Sequence, residues 1–127
     1  MVGKYFIAVD GDDVGRTIER LVLLNDCQGL TSFSANYRSA VHWITSALIE
    51  SYQGSALLSD GDSILIETNA LVLSANQLLM LSEEFALLSG HTLSIGIGKT
   101  MRQAYLALKL AKVSGKNQIR FYSEFID

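Results

Sequence analysis

The sequence predicts a single α+β domain in which helices pack on a central antiparallel sheet. Short apolar runs typical of strands alternate with longer segments whose apolar residues recur every three or four positions. The dipeptide Asp60-Gly61 lies between two such runs and favours a tight hairpin turn. The chain has 127 residues, of which 49% are hydrophobic, and no proline, so we expect one compact domain spanning residues 1–127.

The chain is predicted to open with a buried strand and a capped helix. Residues 4–9 form a nearly continuous apolar run after one lysine, as expected of a strand covered on both faces. The run stops at Asp10. Asp12 or Asp13 is expected to cap a helix that extends to about Asn25.

A second helix and the hairpin follow. Apolar residues at intervals of three and four predict a helix that begins near Ser32 or Ser34 and ends at Tyr52. Residues 55–58 and 64–67 are then two short strands on either side of the turn.

The last third of the chain predicts helix, strand, helix and strand. Ser74 and Gln77 have the spacing of a capping box for a helix that ends at Gly90. Residues 92–98 alternate between large apolar and small residues, so another helix should pack on the small face.

That helix is predicted over residues 101–114, with Gly115 ending it and a strand at 119–122. The order β-α-α-β-β-α-β-α-β is a ferredoxin-like sheet with an added helix and an added edge strand.

Charge and hydropathy exclude several classes of function. The net charge of −3 argues against broad binding to long DNA or RNA, although a single nucleotide remains possible. Cys27 is the one cysteine, so no internal disulfide can form, and the N-terminus has no signal-peptide layout. No apolar stretch approaches the ~20 residues that span a bilayer. We expect a cytoplasmic protein.

Two acidic elements indicate a metal site. One is DGDDVG at residues 10–15, and the other is SDGDS at residues 59–63. If their strands are neighbours, Asp10 and Asp62 meet at one end of the sheet and, with the carbonyl of Gly11, offer the hard oxygen ligands that magnesium or manganese prefers. The structural alternatives are a helix cap at the first element and a plain hairpin turn at the second.

Groups that could hold a triphosphate flank the first element. Val14 and Gly15 would present backbone amides at a helix N-terminus, which favours an anion. Lys112 and Lys116 are four residues apart near the end of the last helix, so both amines could reach one phosphate. The alternative is that these lysines stabilise the negative end of that helix.

Together these elements resemble the palm domain shared by GGDEF diguanylate cyclases and CRISPR polymerases, and in size the minimal CRISPR polymerase (mCpol) family. The tail AKVSGKN at residues 111–117 is its most specific part. The resemblance implies metal binding by Asp10, Gly11 and Asp62. It also implies nucleotide binding by a wider set: Gly11, Asp12, Asp13, Val14, Gly15, Gly61, Lys112 and Lys116.

The chain departs from the family pattern at the hairpin. The usual first glycine and last acid are replaced by Asp60 and Ser63, which we retain as catalytic candidates beside Asp10 and Asp62. Asp60 or Asp12 is a candidate to compensate for the missing acid. The asparagine that reads guanine in diguanylate cyclases falls near Ile18, so guanine preference loses its support.

By resemblance to mCpol, the expected activity is synthesis of a cyclic oligonucleotide, most simply a cyclic dinucleotide, from ATP. The reaction would need magnesium, and since one palm of this size holds one donor triphosphate, we expect a homodimer with facing sites. The resemblance also implies that the product acts on a separate effector protein in anti-phage defence. The alternatives are a catalytically silent nucleotide sensor, a hydrolase like the GTP cyclohydrolases that share this palm, and an interaction domain without a ligand.

Overall fold

The computed structural model describes residues 4–69 and 74–123. It has the predicted α+β fold, with helices on a five-stranded sheet whose strand order is β2-β3-β1-β4-β5. The elements are β1 (Tyr5–Gly11), α1 (Val14–Leu23), α2 (Cys27–Tyr52), β2 (Ser55–Asp60), β3 (Ser63–Thr68), α3 (Ala75–Ser89), β4 (Leu93–Gly98), α4 (Met101–Val113) and β5 (Ile119–Phe121).

The central strand β1 determines where the acidic elements lie. It pairs antiparallel with β3 on one side and with β4 on the other. In this register Asp10 lies opposite Ser63 on β3 and opposite Ser94 on β4. Asp10 is therefore flanked by two serines at the end of the sheet where β2 and β3 are joined by the hairpin turn.

The two faces of the sheet are covered differently. On one face, Ile95 and Ile97 join the main hydrophobic core, together with apolar residues of α2 and α3 such as Ile44 and Phe85. On the other face, Gly96 and Gly98 lie against α4. A Cβ on Gly96 would be 2.2 Å from the backbone nitrogen of Leu108, so the helix backbone rests directly on the strand. The predicted packing of a helix on the small-residue face of β4 is confirmed.

The predicted start of α2 is wrong, and the predicted side-chain cap of α1 is not formed. Helix α2 begins at Cys27 rather than near Ser32 or Ser34, because the Asp26 carboxylate accepts a hydrogen bond from the amide of Gly29 and caps the helix earlier.

Helix α1 ends at Leu23 and begins after Asp13, whose backbone is left-handed (φ 61°) and whose side chain makes no capping bond. Asp12 does not cap the helix either, since its carboxylate is taken up by partners in β4 and beyond α4.

Other local predictions are confirmed. The hydroxyl of Ser74 accepts from the amide of Gln77, and α3 ends at Gly90 in the left-handed conformation. Gly61 also has positive φ in the turn between β2 and β3. Within residues 4–69 and 74–123, no helix combines the length and the apolar character needed to cross a membrane.

The contact between Gly96 and α4 yields a stability prediction. Gly96→Ala should lower the free energy of unfolding by about 3 kcal/mol, because the new methyl would overlap the backbone of Ala104 and Leu108. Urea denaturation at pH 7 measures it. Gly15→Ala is the control: nothing lies within 4 Å of its Cβ position in α1, so this variant should be unchanged or more stable by up to about 1 kcal/mol. Equal stabilities of the two variants would contradict the close packing.

Candidate functional site

The fold brings the three sequence elements together at one end of the sheet. The end of β1 carries residues 10–13, the hairpin turn holds Gly61 and Asp62, and the last turn of α4 carries Lys112. The backbone amide of Gly11 donates to the carbonyl of Asp62 over 3.1 Å, which ties the hairpin turn to β1. Residues far apart in sequence thus form one cluster.

Asp10 is held at both of its carboxylate oxygens. Oδ1 accepts a hydrogen bond from the Ser63 hydroxyl over 3.1 Å, and Oδ2 is 3.1 Å from Nζ of Lys112. The side chain keeps 28% of its surface exposed. Ser63 therefore orients the carboxylate of Asp10.

Asp62 faces the same region. Burial, and after it the negative charge of Asp10, raises the pKa of the Asp62 carboxyl above its usual value. Two carboxylates this close repel each other, so a cation between them lowers the energy of the charged pair. The structure brings Asp10 and Asp62 together as a pair that favours a divalent cation.

Lys112 already places a positive charge there. Its Nζ donates to the Gly11 carbonyl over 2.8 Å and to Oδ1 of Asp12 over 2.9 Å, in addition to its contact with Asp10. Burial alone would lower the pKa of Lys112, but the bonds to Asp12 and Asp10 outweigh it and raise the pKa. The sequence led us to expect this amine on a phosphate; in the structure it lies among the carboxylates.

Asp12 is the buried centre of the cluster, with 1% of its surface exposed. Its Oδ1 accepts from Ser94 over 2.7 Å and from Lys112 over 2.9 Å. Its Oδ2 accepts from Thr92 over 2.7 Å and from the amide of Asn117 over 2.9 Å. Burial alone would raise the pKa of Asp12, but these bonds together lower it. Asp12, which we expected to contact the nucleotide, thus has both carboxylate oxygens hydrogen-bonded to donors within the protein.

Asp13 and Lys116 form an exposed ion pair at the mouth of the site. Their charged atoms are 2.6 Å apart, and this bond lowers the pKa of Asp13. Both residues have positive φ, 61° and 64°, so the pair joins two irregular segments. Val14 and Gly15 follow in the first turn of α1, where backbone amides have no partner within the helix. Asp60 is exposed at the end of β2, opposite Ser63.

An apolar cleft of about 260 Å³ opens beside the carboxylates. It lies between α1 and α2 and is lined by Val14, Ile18, Phe33, Ser34, Tyr37, Arg38, Val41, Gly61 and Asp62. Asn36, on the same helix as Arg38, donates to the carbonyl of Leu88. A larger cleft of about 480 Å³ beside Gly98 has no carboxylate among the described residues that line it.

Sequence reasoning missed the residues that hold Asp12. Thr92 lies just before β4 and Ser94 within it, and the small-residue pattern of residues 92–98 was attributed to helix packing alone. His91 is a further residue to which sequence reasoning gave no role, yet its Nδ1 lies 2.8 Å from the Asp12 carbonyl and its Nε2 lies 3.1 Å from the Thr17 hydroxyl. Nothing in the sequence marks this histidine, because its partners are a backbone carbonyl and a residue 74 positions away.

The donor set suits a magnesium or manganese ion. Asp10, the carbonyl of Gly11 and Asp62 are hard oxygen ligands, and two of them, Asp10 and the Gly11 carbonyl, already contact the positive charge of Lys112. In residues 4–69 and 74–123, no group of three or more His, Cys, Asp and Glu side chains forms a metal cage. Such a donor set fits an ion that fills its shell with water and substrate phosphates.

A family model of the minimal CRISPR polymerase domain matches residues 6–122. The chain belongs to the mCpol family. The match includes both acidic elements and the Lys112–Asn117 segment, so the resemblance read from the sequence is confirmed. Comparison with curated proteins found no significant match.

Solved structures share the fold of this mCpol domain. The GGEEF domain of an active diguanylate cyclase from Vibrio cholerae superposes with a TM-score of 0.58 at 13% identity, covering 95% of this chain and 83% of that one. The coiled-coil and GGDEF structure of DgcB from Caulobacter crescentus, in complex with c-di-GMP, gives 0.61 at 14% identity, covering 94% and 70%. The Csm1–Csm4 cassette in complex with cA4 gives 0.60 at 16% identity, covering 93% and 21%. These likenesses establish the palm fold.

The bonds of Lys112 predict a pH-dependent stability. Lys112→Met should lower the free energy of unfolding at pH 7 by about 2 kcal/mol, because the buried Asp12 loses its cation while Lys112 itself is partly exposed. Asp12 has a lowered pKa, so this contribution is present above pH ~4 and is lost as the pH falls through the folded-state pKa. Lys112 has a raised pKa, so the contribution lasts up to pH ~10.5 and is lost above it.

Urea denaturation of both proteins between pH 3 and pH 8 measures this effect. The gap between wild type and Lys112→Met should narrow toward pH 3. Lys116→Met is the matched control: its partner Asp13 is exposed, so stability should change little at any pH. A gap that stayed constant down to pH 3 would contradict the role given to Asp12.

Proposed function

We propose that this mCpol domain is a magnesium-dependent nucleotidyltransferase that makes a cyclic oligonucleotide from nucleoside triphosphates, with ATP preferred. One observation carries the proposal: Asp62 lines the apolar cleft beside the first turn of α1, and Asp10 lies close enough for its charge to raise the pKa of Asp62. Membership of the family and the likeness to structures bound to c-di-GMP and cA4 support it.

The site has a place for each part of a nucleotide. The apolar walls of the cleft, Ile18 and Phe33 among them, suit a base, and Arg38 and Ser34 offer polar contacts at its rim. The amides of Val14 and Gly15 suit phosphate oxygens.

The two lysines would serve the phosphates in different ways. Lys116 pairs with the exposed Asp13, and a triphosphate can compete for that amine. Lys112 bonds to the buried Asp12, so we expect it to keep that contact and to exchange Asp10 for a phosphate oxygen when substrate binds. The charge of Lys112 is thereby available to the ligand without uncovering Asp12.

In the proposed reaction, the oxygen of a ribose hydroxyl bonds to the α-phosphorus of an NTP, the bond to the bridging oxygen breaks, pyrophosphate leaves and the hydroxyl proton passes to water. Divalent ions bound at such a site lower the pKa of the hydroxyl and stabilise the leaving pyrophosphate. Asp10 and Asp62 hold this centre in place, and Ser63 fixes the orientation of Asp10. Asp60, exposed at the turn, is a further candidate contact.

One cleft of this size holds one donor nucleotide, so the acceptor must come from elsewhere. We propose a homodimer with facing sites, since each copy then supplies the acceptor for the other. The product would most simply be a cyclic dinucleotide, made in the cytoplasm and read by a separate effector protein in anti-phage defence.

The acidic pair gives the first activity prediction. Purified protein incubated with ATP and magnesium should release pyrophosphate and form an oligonucleotide identifiable by mass spectrometry. Asp10→Asn and Asp62→Asn should each lower the rate by about 100-fold or more, because each removes charge from the cation centre. Glu50→Gln, an exposed change near the end of α2, should leave the rate within a factor of about two.

Full activity of Asp62→Asn would contradict the proposal that Asp62 binds the divalent cation. Binding of ATP without product from any NTP mixture would instead favour the silent nucleotide sensor. One observation favours that second function: the ammonium of Lys112 already bonds to Asp10 and to the Gly11 carbonyl, where a cation would bind.

The cleft gives a prediction on base choice. Ile18→Asn places an amide on a wall of the cleft, where it can pair with the edge of guanine, so use of GTP relative to ATP should rise by up to about tenfold. The ratio of products from an equimolar ATP and GTP mixture measures this. Val22→Asn, one turn further along α1 and outside the cleft, should keep the wild-type ratio. An unchanged ratio in Ile18→Asn would contradict the placement of the base.

A further inference from the structure

The hydroxyl of Tyr37 is buried at the candidate site without a hydrogen-bond partner among the described residues. Tyr37 lies on α2, and 7% of its surface is exposed. A Cβ built on Gly11 would fall 2.0 Å from this hydroxyl, so the oxygen rests directly against the end of β1. Burying a hydroxyl without a partner destabilises a folded protein, and phenylalanine would avoid that cost.

The ring of Tyr37 is fixed on three sides. It stacks on Phe33 at 5.6 Å between ring centroids and meets the edges or faces of Phe85 at 5.8 Å and His91 at 6.0 Å. These contacts leave little freedom for the hydroxyl to turn toward solvent. The oxygen therefore stays beside Gly11, and whatever pairs with it must come to that position.

The Asp62 side chain lies on the same side of Gly11. Its Cβ would be 3.3 Å from a Cβ on Gly11, and the amide of Gly11 donates to the Asp62 carbonyl. Burial, then the charges of Asp62, Asp10 and Asp12, raise the pKa of Tyr37. Asp62 has the largest influence among the three carboxylates. A phenol is protonated at neutral pH and a carboxylate only accepts, so the Tyr37 hydroxyl can only donate to these groups.

We infer that Tyr37 is a positioning residue for Asp62: its hydroxyl donates to the Asp62 carboxylate once a divalent cation occupies the Asp10–Asp62 pair. The inference rests on the proposed function, since it needs a cation at this pair. Outer partners of this kind fix the orientation of a metal ligand, and their loss commonly weakens metal affinity 10- to 100-fold. The inference gives the buried hydroxyl of Tyr37, which has no partner among the described residues, an acceptor in the Asp62 carboxylate.

The chain contains a matched control. Tyr52, also on α2 and 4% exposed, has a second buried hydroxyl without a partner among the described residues. Its backbone carbonyl accepts a hydrogen bond from the Thr68 hydroxyl. Thr68 is the last residue of β3, whereas Ser63 and the candidate site lie at the first residue of that strand. Replacing either tyrosine with phenylalanine keeps the ring and removes one oxygen. The two variants thus differ in location and share their chemistry.

The test compares wild type, Tyr37→Phe and Tyr52→Phe in two measurements. The first is thermal unfolding in EDTA, where both variants should melt at the wild-type temperature or above it. The second is titration with Mn²⁺ alone, followed by electron paramagnetic resonance of the free ion. Tyr37→Phe should bind Mn²⁺ about tenfold or more weakly than wild type, and Tyr52→Phe within about twofold.

Each other outcome overturns the inference. Equal Mn²⁺ affinity in wild type and Tyr37→Phe would overturn the inference about Tyr37 and leave the proposed function standing. If Tyr37→Phe weakened binding of Mn²⁺ only in the presence of α,β-methylene-ATP, the hydroxyl would be assigned to the nucleotide, and the inference would be overturned as well. A lower melting temperature of Tyr37→Phe in EDTA would show a structural partner and overturn it too. No Mn²⁺ binding by wild type, with or without nucleotide, would overturn the proposed function as well.

Discussion

Four donors from three parts of the chain converge on the buried carboxylate of Asp12. Thr92 lies just before β4 and Ser94 near its start, Lys112 lies in the last turn of α4, and the amide of Asn117 belongs to the segment that follows. The rest of the site depends on this convergence, because it fixes how the end of β1 meets α4. An ionised group this deeply buried is tolerated only when hydrogen bonds and a cation compensate its lost hydration.

The position of Lys112 follows from packing as well as from charge. Glycines on β4 let the backbone of α4 rest on the sheet, and this short distance carries the end of the helix to Gly11. The ammonium then lies between the buried Asp12 and the partly exposed Asp10. One residue therefore links the interior of the fold to the group that faces the ligand.

Much of the fold was predictable because it depends on local patterns. Alternation along β4, the Asp60-Gly61 turn and the Ser74 cap each leave a signal within a few residues. Pairing Asp10 with Asp62 needed only the expectation that their strands are neighbours. The start of α2 was missed because the capping bond of Asp26 competes with other plausible caps downstream. The hydrogen-bond donors to Asp12 were missed for a different reason. A long-range hydrogen bond leaves no periodic pattern in the sequence, and nothing in the sequence distinguishes Asp12 from Asp10 and Asp13.

Lys112 affects how an inactive form of this protein should be chosen. Because its amine neutralises a carboxylate in the interior, loss of function after its replacement would mix damage to folding with damage to chemistry. A substitution confined to the hairpin turn, such as one at Asp62, leaves the charge balance of the interior intact. Experiments in cells that need an inactive but well-folded protein should therefore substitute a residue of the hairpin turn rather than Lys112.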